Sequence, residues 1–229
     1  MEFRWLHQGT RLTLGRREAP SRGEGLARPG DAGQNREAIV VFGGWAVGPQ
    51  VFDHLTGPYD ILFASDYCDL NADLPELSAY GRVSLLAWSF GVASYVHWQQ
   101  GRDDPFERKV AVNGTLTPVN RRTGVPPLAM SKTIETLSED AYQLFLERAF
   151  NAPQPRGDID VTARQSELLA IEARGDAPVH CFDQVWVSAD DKIFPAANQK
   201  RAWPQDKQRI IDAPHAPFGQ FTTWQELLA

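Results

Sequence analysis

The chain has 229 residues, 42% of them hydrophobic and 23% charged, and a formal net charge of −6. That length suits one domain with a sizeable core, and the acidic balance argues against a nucleic-acid-binding protein. Two cysteines are too few for a disulfide framework and lack metal-ligand spacing, and no stretch approaches the roughly 18 apolar residues of a transmembrane helix.

The N-terminal Met-Glu-Phe-Arg-Trp-Leu-His has no apolar signal-peptide run, so a cytoplasmic enzyme is the default expectation. Residues 1–37 hold seven Arg and five Asp or Glu, a net +2 that leaves −8 for the remainder. Residues 3–14 read as a strand or hairpin. Residues 15–37, rich in Gly, Arg, Pro and Glu, read as a flexible insertion, with a basic arm for an acidic partner as the second reading. Short apolar runs then recur at Ala38–Phe42, Asp60–Ala64, Val83–Trp88, Lys109–Val112, Gln184–Val187 and Arg209–Ile211, the pattern of strands buried on both faces. Helical segments are expected at Pro49–Leu55, Leu74–Tyr80, Phe90–Gln99 and Pro195–Trp203. Alternation of the two predicts a mostly parallel central sheet with helices on both faces, all in a single domain over 1–229. Residues 118–178 break the alternation. They hold no convincing strand, and helices are expected over Ser138–Phe150 and Thr162–Arg174, as in a lid inserted between two strands. Cys68 and Cys181 are expected to be buried free thiols.

One segment carries chemistry. In Leu85-Leu86-Ala87-Trp88-Ser89-Phe90-Gly91-Val92-Ala93 a buried strand runs into Ser89 and a helix leaves it. This is the pattern of a nucleophile elbow, whose tight turn requires small residues two before and two after the serine; here they are Ala87 and Gly91. The helix N-terminus offers free N–H groups to a developing oxyanion. A serine hydroxyl also needs a base. In such enzymes an acid and then a histidine follow the serine along the chain. His7 and His54 precede Ser89, His97 lies down its helix, and His180 opens a strand. His215 follows the last strand, between Pro214 and Pro217, and is the expected base. For the acid, Asp191 stands four residues before Pro195 and is preferred; Asp190 is the alternative. The second oxyanion donor is expected from Gly43-Gly44-Trp45-Ala46, with the amides of Trp45 and Phe90 forming the pair and the Trp45 indole lining the pocket. Tyr142, Phe145, Leu146, Ala149 and Phe150 share one helical face, which suits core packing or a pocket roof equally well. Arg148 lies on a neighbouring face. Arg121, Arg122, Lys132 and Arg164 are also in the insertion.

These motifs resemble the BioG family of pimeloyl-[acyl-carrier protein] methyl ester esterases, within the α/β-hydrolase fold. The resemblance rests on Phe42-Gly43-Gly44-Trp45, Asp66-Tyr67-Cys68-Asp69-Leu70-Asn71, Leu77-Ser78-Ala79-Tyr80, Ala87-Trp88-Ser89-Phe90-Gly91-Val92, Ala111-Val112-Asn113-Gly114-Thr115, Gly124-Val125-Pro126, Trp186-Val187-Ser188, Asp191-Lys192-Ile193-Phe194 and Ala197-Asn198-Gln199. The Asp66–Asn71 run is the most specific, because the general fold does not require it. The resemblance implies a catalytic triad of Ser89, Asp191 and His215, no metal or cofactor, and an acyl carrier protein as partner. Substrate contacts are expected from Trp45, Tyr142, Phe145 and Arg148. The implied reaction unmasks the far carboxylate of a pimeloyl chain. Residues 15–37 depart from the family pattern, in which the first strand leads almost directly to the second. A generic carboxylesterase or thioesterase is the runner-up, and a non-catalytic acyl-binding protein a third reading.

Overall fold

The computed structural model describes residues 1–6 and 36–229. Among these described residues seven strands form one sheet: β1 (Glu2–Leu6), β2 (Glu37–Phe42), β3 (Tyr59–Ser65), β4 (Arg82–Trp88), β5 (Arg108–Val112), β6 (Gln184–Ser188) and β7 (Gln208–Ile211). Their order is β1-β3-β2-β4-β5-β6-β7, and only β1 runs antiparallel to its neighbour. The chain thus has the α/β-hydrolase fold. Each predicted strand from Ala38 onward is present, extended by a residue or two. The first, β1, falls within the expected 3–14, whose remainder lies outside the described residues, as does the insertion over 15–37 apart from its last two residues.

Strand periodicity divides the core. In β2, Val40 and Phe42 face a cluster with Leu62, Leu85, Tyr95, Trp98 and Val187, while Ile39 and Val41 face a second with Phe63, Leu86, Val112, Phe218 and Trp224. Two apolar layers on one sheet explain why these strands read as unbroken hydrophobic runs. Helix α1 (Phe90–Gln99) packs on the first face. The stretch between β5 and β6 contains α2 (Pro127–Glu135), α3 (Glu139–Phe150) and α4 (Val161–Arg174), and no strand of the sheet; α5 (Ala196–Ala202) and α6 (Trp224–Leu228) follow. Among the described residues no helix is long and apolar enough to cross a membrane.

Several expectations need correction. Leu74–Tyr80 is not helical: Ser78 N–H donates to the Glu76 carboxylate at 2.9 Å and Tyr80 N–H to the Leu77 carbonyl at 3.0 Å, turn contacts that compete with a helix too short to nucleate. Pro49–Leu55 shrinks to one 3-10 turn, Pro49–Phe52. Helices α2 and α6 were not foreseen, although Pro127 at the first turn and the Thr223/Glu226 capping box signal them. Both cysteines are exposed rather than buried, because each sits in a loop. Partial desolvation of the Cys68 sulfur, then the Asp66 carboxylate, push that thiol up to about 11, so it is not activated.

The sheet edge is tightest where α1 starts. A Cβ on Gly91 would lie 2.3 Å from the Phe42 carbonyl oxygen and 2.5 Å from that of Gly43. Backbone cannot yield as a side chain does. Gly91→Ala is therefore expected to lower stability by at least about 2 kcal/mol, read from the midpoint of a urea denaturation curve.

Candidate active site

Ser89 sits between β4 and α1 with φ 59° and ψ −128°, a conformation rare for a residue with a side chain. Its N–H donates to the Val112 carbonyl at 2.9 Å and its carbonyl accepts from Val92 N–H at 3.1 Å, so both sides of the turn are fixed. The turn raises the hydroxyl over the carboxyl edge of the sheet. There the loops after β6 and β7 bring two further groups. His215 Nε2 lies 2.9 Å from Ser89 Oγ, and His215 Nδ1 lies 2.9 Å from Asp191 Oδ2. Ser89 is 4% exposed and His215 1%.

Asp191 is held by four donors. Its Oδ1 accepts from the N–H groups of Ile193 and Phe194, each at 2.8 Å; its Oδ2 accepts from Gln199 Nε2 at 2.8 Å as well as from His215. Such a shell holds the carboxylate in one orientation, aimed at the imidazole. Asp190, the alternative acid, points outward, accepts from Asn151 and lies 4.0 Å from Lys192. It does not reach His215. The Phe194 ring lies parallel to the imidazole, with centroids 5.9 Å apart.

The backbone of His215 is fixed just as closely. Its carbonyl accepts from Trp88 Nε1 at 3.0 Å and from Asn113 Nδ2 at 2.8 Å. Asn113 has no exposed surface and a φ of 46°. Its Nδ2 also donates to Ser188 Oγ at 2.7 Å, and its Oδ1 accepts from Ser188 N–H at 2.8 Å. One side chain thus joins the ends of β5 and β6 to the histidine loop. Sequence reasoning placed Asn113 only within a matching run; a polar residue ending a buried strand is the signal that marks it.

The N–H groups of Trp45 and Phe90 take part in no hydrogen bond among the described residues, as expected of an N1 amide for Phe90. Trp45 is buried; its indole N–H donates to the Arg164 carbonyl at 3.0 Å and its ring meets Phe145 edge-on at 5.0 Å. Tyr142 is buried and stacks on Phe145 at 6.3 Å. Arg148 is exposed, beside Leu144 and Lys192 on a shallow cavity of about 290 Å³. Arg121, Arg122 and Lys132 are exposed as well. Arg164 is not a free surface charge: it pairs at 2.6 Å with Glu167, which is 1% exposed.

A family model described as pimeloyl-ACP methyl esterase BioG matches residues 31–227. The chain belongs to the BioG family. A Haemophilus influenzae protein is 32% identical over 207 residues, covering 85% of this chain and 95% of its own. The crystal structure of BioG from that organism aligns with a TM-score of 0.76 at 31% identity, over 86% of this chain and 96% of that one. A Bacteroides fragilis protein named malonyl-[acyl-carrier protein] O-methyltransferase is 30% identical over 188 residues, which are 73% of this chain but only 36% of that protein. An esterase from Exiguobacterium antarcticum, at 14% identity and a TM-score of 0.57 over 80% of this chain and 86% of its own, shares the fold alone. Family and fold together make this BioG chain a hydrolase of the esterase type.

Two measurements follow from this geometry. Asn113→Ala strands Ser188 N–H and frees one side of the His215 loop, and is expected to lower stability by about 1–3 kcal/mol, seen as a reduced urea midpoint. Burial, the largest influence, raises the Glu167 pKa in the folded chain above its ordinary value, outweighing the bond from Tyr67 N–H and the charge of Arg164. The favourable contribution of protonated Glu167 is complete below the unfolded carboxyl pKa and is lost as pH rises through the folded one. Glu167→Gln removes that dependence, so its stability relative to the wild type should improve between pH 4 and pH 7 in paired denaturation curves; an unchanged difference would contradict the assignment.

Proposed function

We propose that the chain is a serine esterase that hydrolyses the methyl ester of pimeloyl-[acyl-carrier protein] to pimeloyl-[acyl-carrier protein] and methanol, in biotin biosynthesis. The observation that carries this reading is the unbroken line of hydrogen bonds from Ser89 through His215 to Asp191, at 2.9 and 2.9 Å, in a member of a family described as pimeloyl-ACP methyl esterases. The Bacteroides relative adds support. A protein named for placing a methyl group on a carrier-bound acid contains a region like this chain, and removal of such a methyl is the complementary reaction.

In this mechanism Ser89 Oγ attacks the ester carbonyl as its proton passes to His215 Nε2. Asp191 holds Nδ1–H and stabilises the imidazolium. The oxyanion is met by the N–H groups of Phe90 and Trp45, the former at the positive end of α1. His215 then protonates the departing methoxide, and methanol leaves. A water molecule, deprotonated by His215, attacks the acyl-enzyme and restores Ser89. Trp45, Phe145 and the ring of Tyr142 roof the acyl chain, with Arg148 nearer the surface. The exposed Arg121, Arg122 and Arg148 offer a basic rim to an acidic carrier protein; the Arg122 carbonyl accepts from a further arginine, Arg201, at 2.9 Å.

The runner-up, a generic carboxylesterase or thioesterase, uses the same three residues, so the substrate must decide. Wild type and Ser89→Ala are incubated with pimeloyl-carrier protein methyl ester and the products resolved by mass. Conversion by the wild type and a loss of at least about 10³-fold in the variant are expected. A wild type that cleaves p-nitrophenyl esters but leaves the carrier-linked ester intact refutes the specific substrate. Charge reversal of Arg121, Arg122 and Arg148 together should lower kcat/KM on the carrier-linked ester by about tenfold or more and flatten its salt dependence; an unchanged salt profile refutes the docking role.

A further inference from the structure

The loop that supplies the Trp45 amide is gripped on both sides. Tyr67 Oη donates to the Gly43 carbonyl at 2.8 Å, and Tyr142 Oη, from α3, donates to the Ala46 carbonyl at 2.7 Å. Between these two points lies the Gly44–Trp45 peptide. The Trp45 indole is itself tied to the Arg164 carbonyl on α4. The loop is not in a resting conformation, since Ala46 has a φ of 56°. A non-glycine residue stays there only where its surroundings over-determine it. The carbonyl that Tyr142 grips belongs to that same residue.

Tyr67 is anchored in turn. Its N–H donates to Glu167 Oε1 at 2.9 Å, its carbonyl accepts from Arg174, and Glu167 Oε2 accepts from Arg164 at 2.6 Å. All three partners lie on α4. This gives a physical role to the Asp66–Asn71 run, which the hydrolase fold does not demand. Burial raises the pKa of both phenols, with the Glu167 carboxylate adding to the effect at Tyr67, so both remain O–H donors at neutral pH.

We infer that Tyr67 and Tyr142 are positioning residues for ester hydrolysis: their hydroxyls fix the Gly43–Ala46 loop so that the Trp45 N–H faces the developing oxyanion. This rests on the assignment of Ser89 and of the Trp45 amide made above. Neither hydroxyl needs to touch the reacting atoms. Helices α3 and α4 hold the loop in place, so the insertion is part of the catalytic apparatus and more than a cover over it.

The test uses the full chain with p-nitrophenyl butyrate as substrate and an alkyl trifluoromethyl ketone, which forms a tetrahedral serine adduct, as inhibitor. Tyr142→Phe and Tyr67→Phe keep the rings and remove the hydroxyls. Each should lower kcat about tenfold or more with KM within about twofold, and weaken the ketone by a similar factor. Adding Ala46→Gly to Tyr142→Phe should recover several-fold of kcat, because glycine adopts positive φ without strain. Should one Phe variant fail to fold, the other carries the test. Kcat and ketone affinity within twofold of wild type in a folded Phe variant overturn the inference. So does a change confined to KM, or a double variant no better than Tyr142→Phe. Failure of the underlying assignment looks different: Ser89→Ala would then retain activity whatever the tyrosine variants do.

Discussion

The close approach of α1 to β2 is the contact on which the site depends. Gly91, on the first turn of the helix, lies against the carbonyls of Phe42 and Gly43, and no other residue leaves room for that crossing. The same approach brings the start of α1 beside the Gly43–Ala46 loop, so the two free amides come from neighbouring backbone segments. Gly114 repeats the theme on the far side, since a Cβ there would lie 2.3 Å from the Ser89 carbonyl oxygen. The strained backbone of Ser89 is therefore trapped between Gly91 on the first turn of α1 and Gly114 just past the end of β5. Strain of this type persists only when packing leaves no alternative.

The sequence made the sheet legible because its strands are buried on both faces. Five-residue runs such as Ala38–Phe42 have no competing polar face to blur their ends. The elbow was legible for a related reason, in that sterics dictate small residues at fixed offsets from Ser89. Leu74–Tyr80 misled because its apolar spacing fits a helix while Glu76 caps a local turn instead. Preference for Asp191 over Asp190 rests on distance to a proline, a spacing that says nothing of the contacts Asp191 makes with Ile193 N–H, Phe194 N–H and Gln199. What sequence could not supply were long-range partners. The bonds from Asn113 to His215, from Tyr142 to Ala46 and from Trp45 to Arg164 join residues about a hundred positions apart, and no local pattern encodes them.

The insertion after β5 joins these strands of argument. A lid that merely covers a pocket would pack through apolar side chains. Here α3 and α4 combine the Trp45–Phe145–Tyr142 aromatic cluster with hydrogen bonds to backbone at Ala46 and Tyr67. Apolar burial supplies most of the adhesion, while the directional bonds set the geometry. Glu167 illustrates the balance: its ionised form is disfavoured by burial, yet it ties α4 to Tyr67 and so to the loop beneath.

The two ends of the hydrogen-bonded line differ in how far apart their supports lie along the chain. Everything that orients Asp191, apart from the histidine itself, falls between Ile193 and Gln199, so that corner can form from one short stretch of polypeptide. His215 is held instead by Trp88 and Asn113, more than a hundred residues earlier. On a ribosome, which makes the chain from its N-terminus, Ser89, the Asp191 corner and the helices α2 to α4 all emerge before His215 does. Under the triad proposed above, Ser89 then has no base until His215 has been made and docked against Trp88 and Asn113.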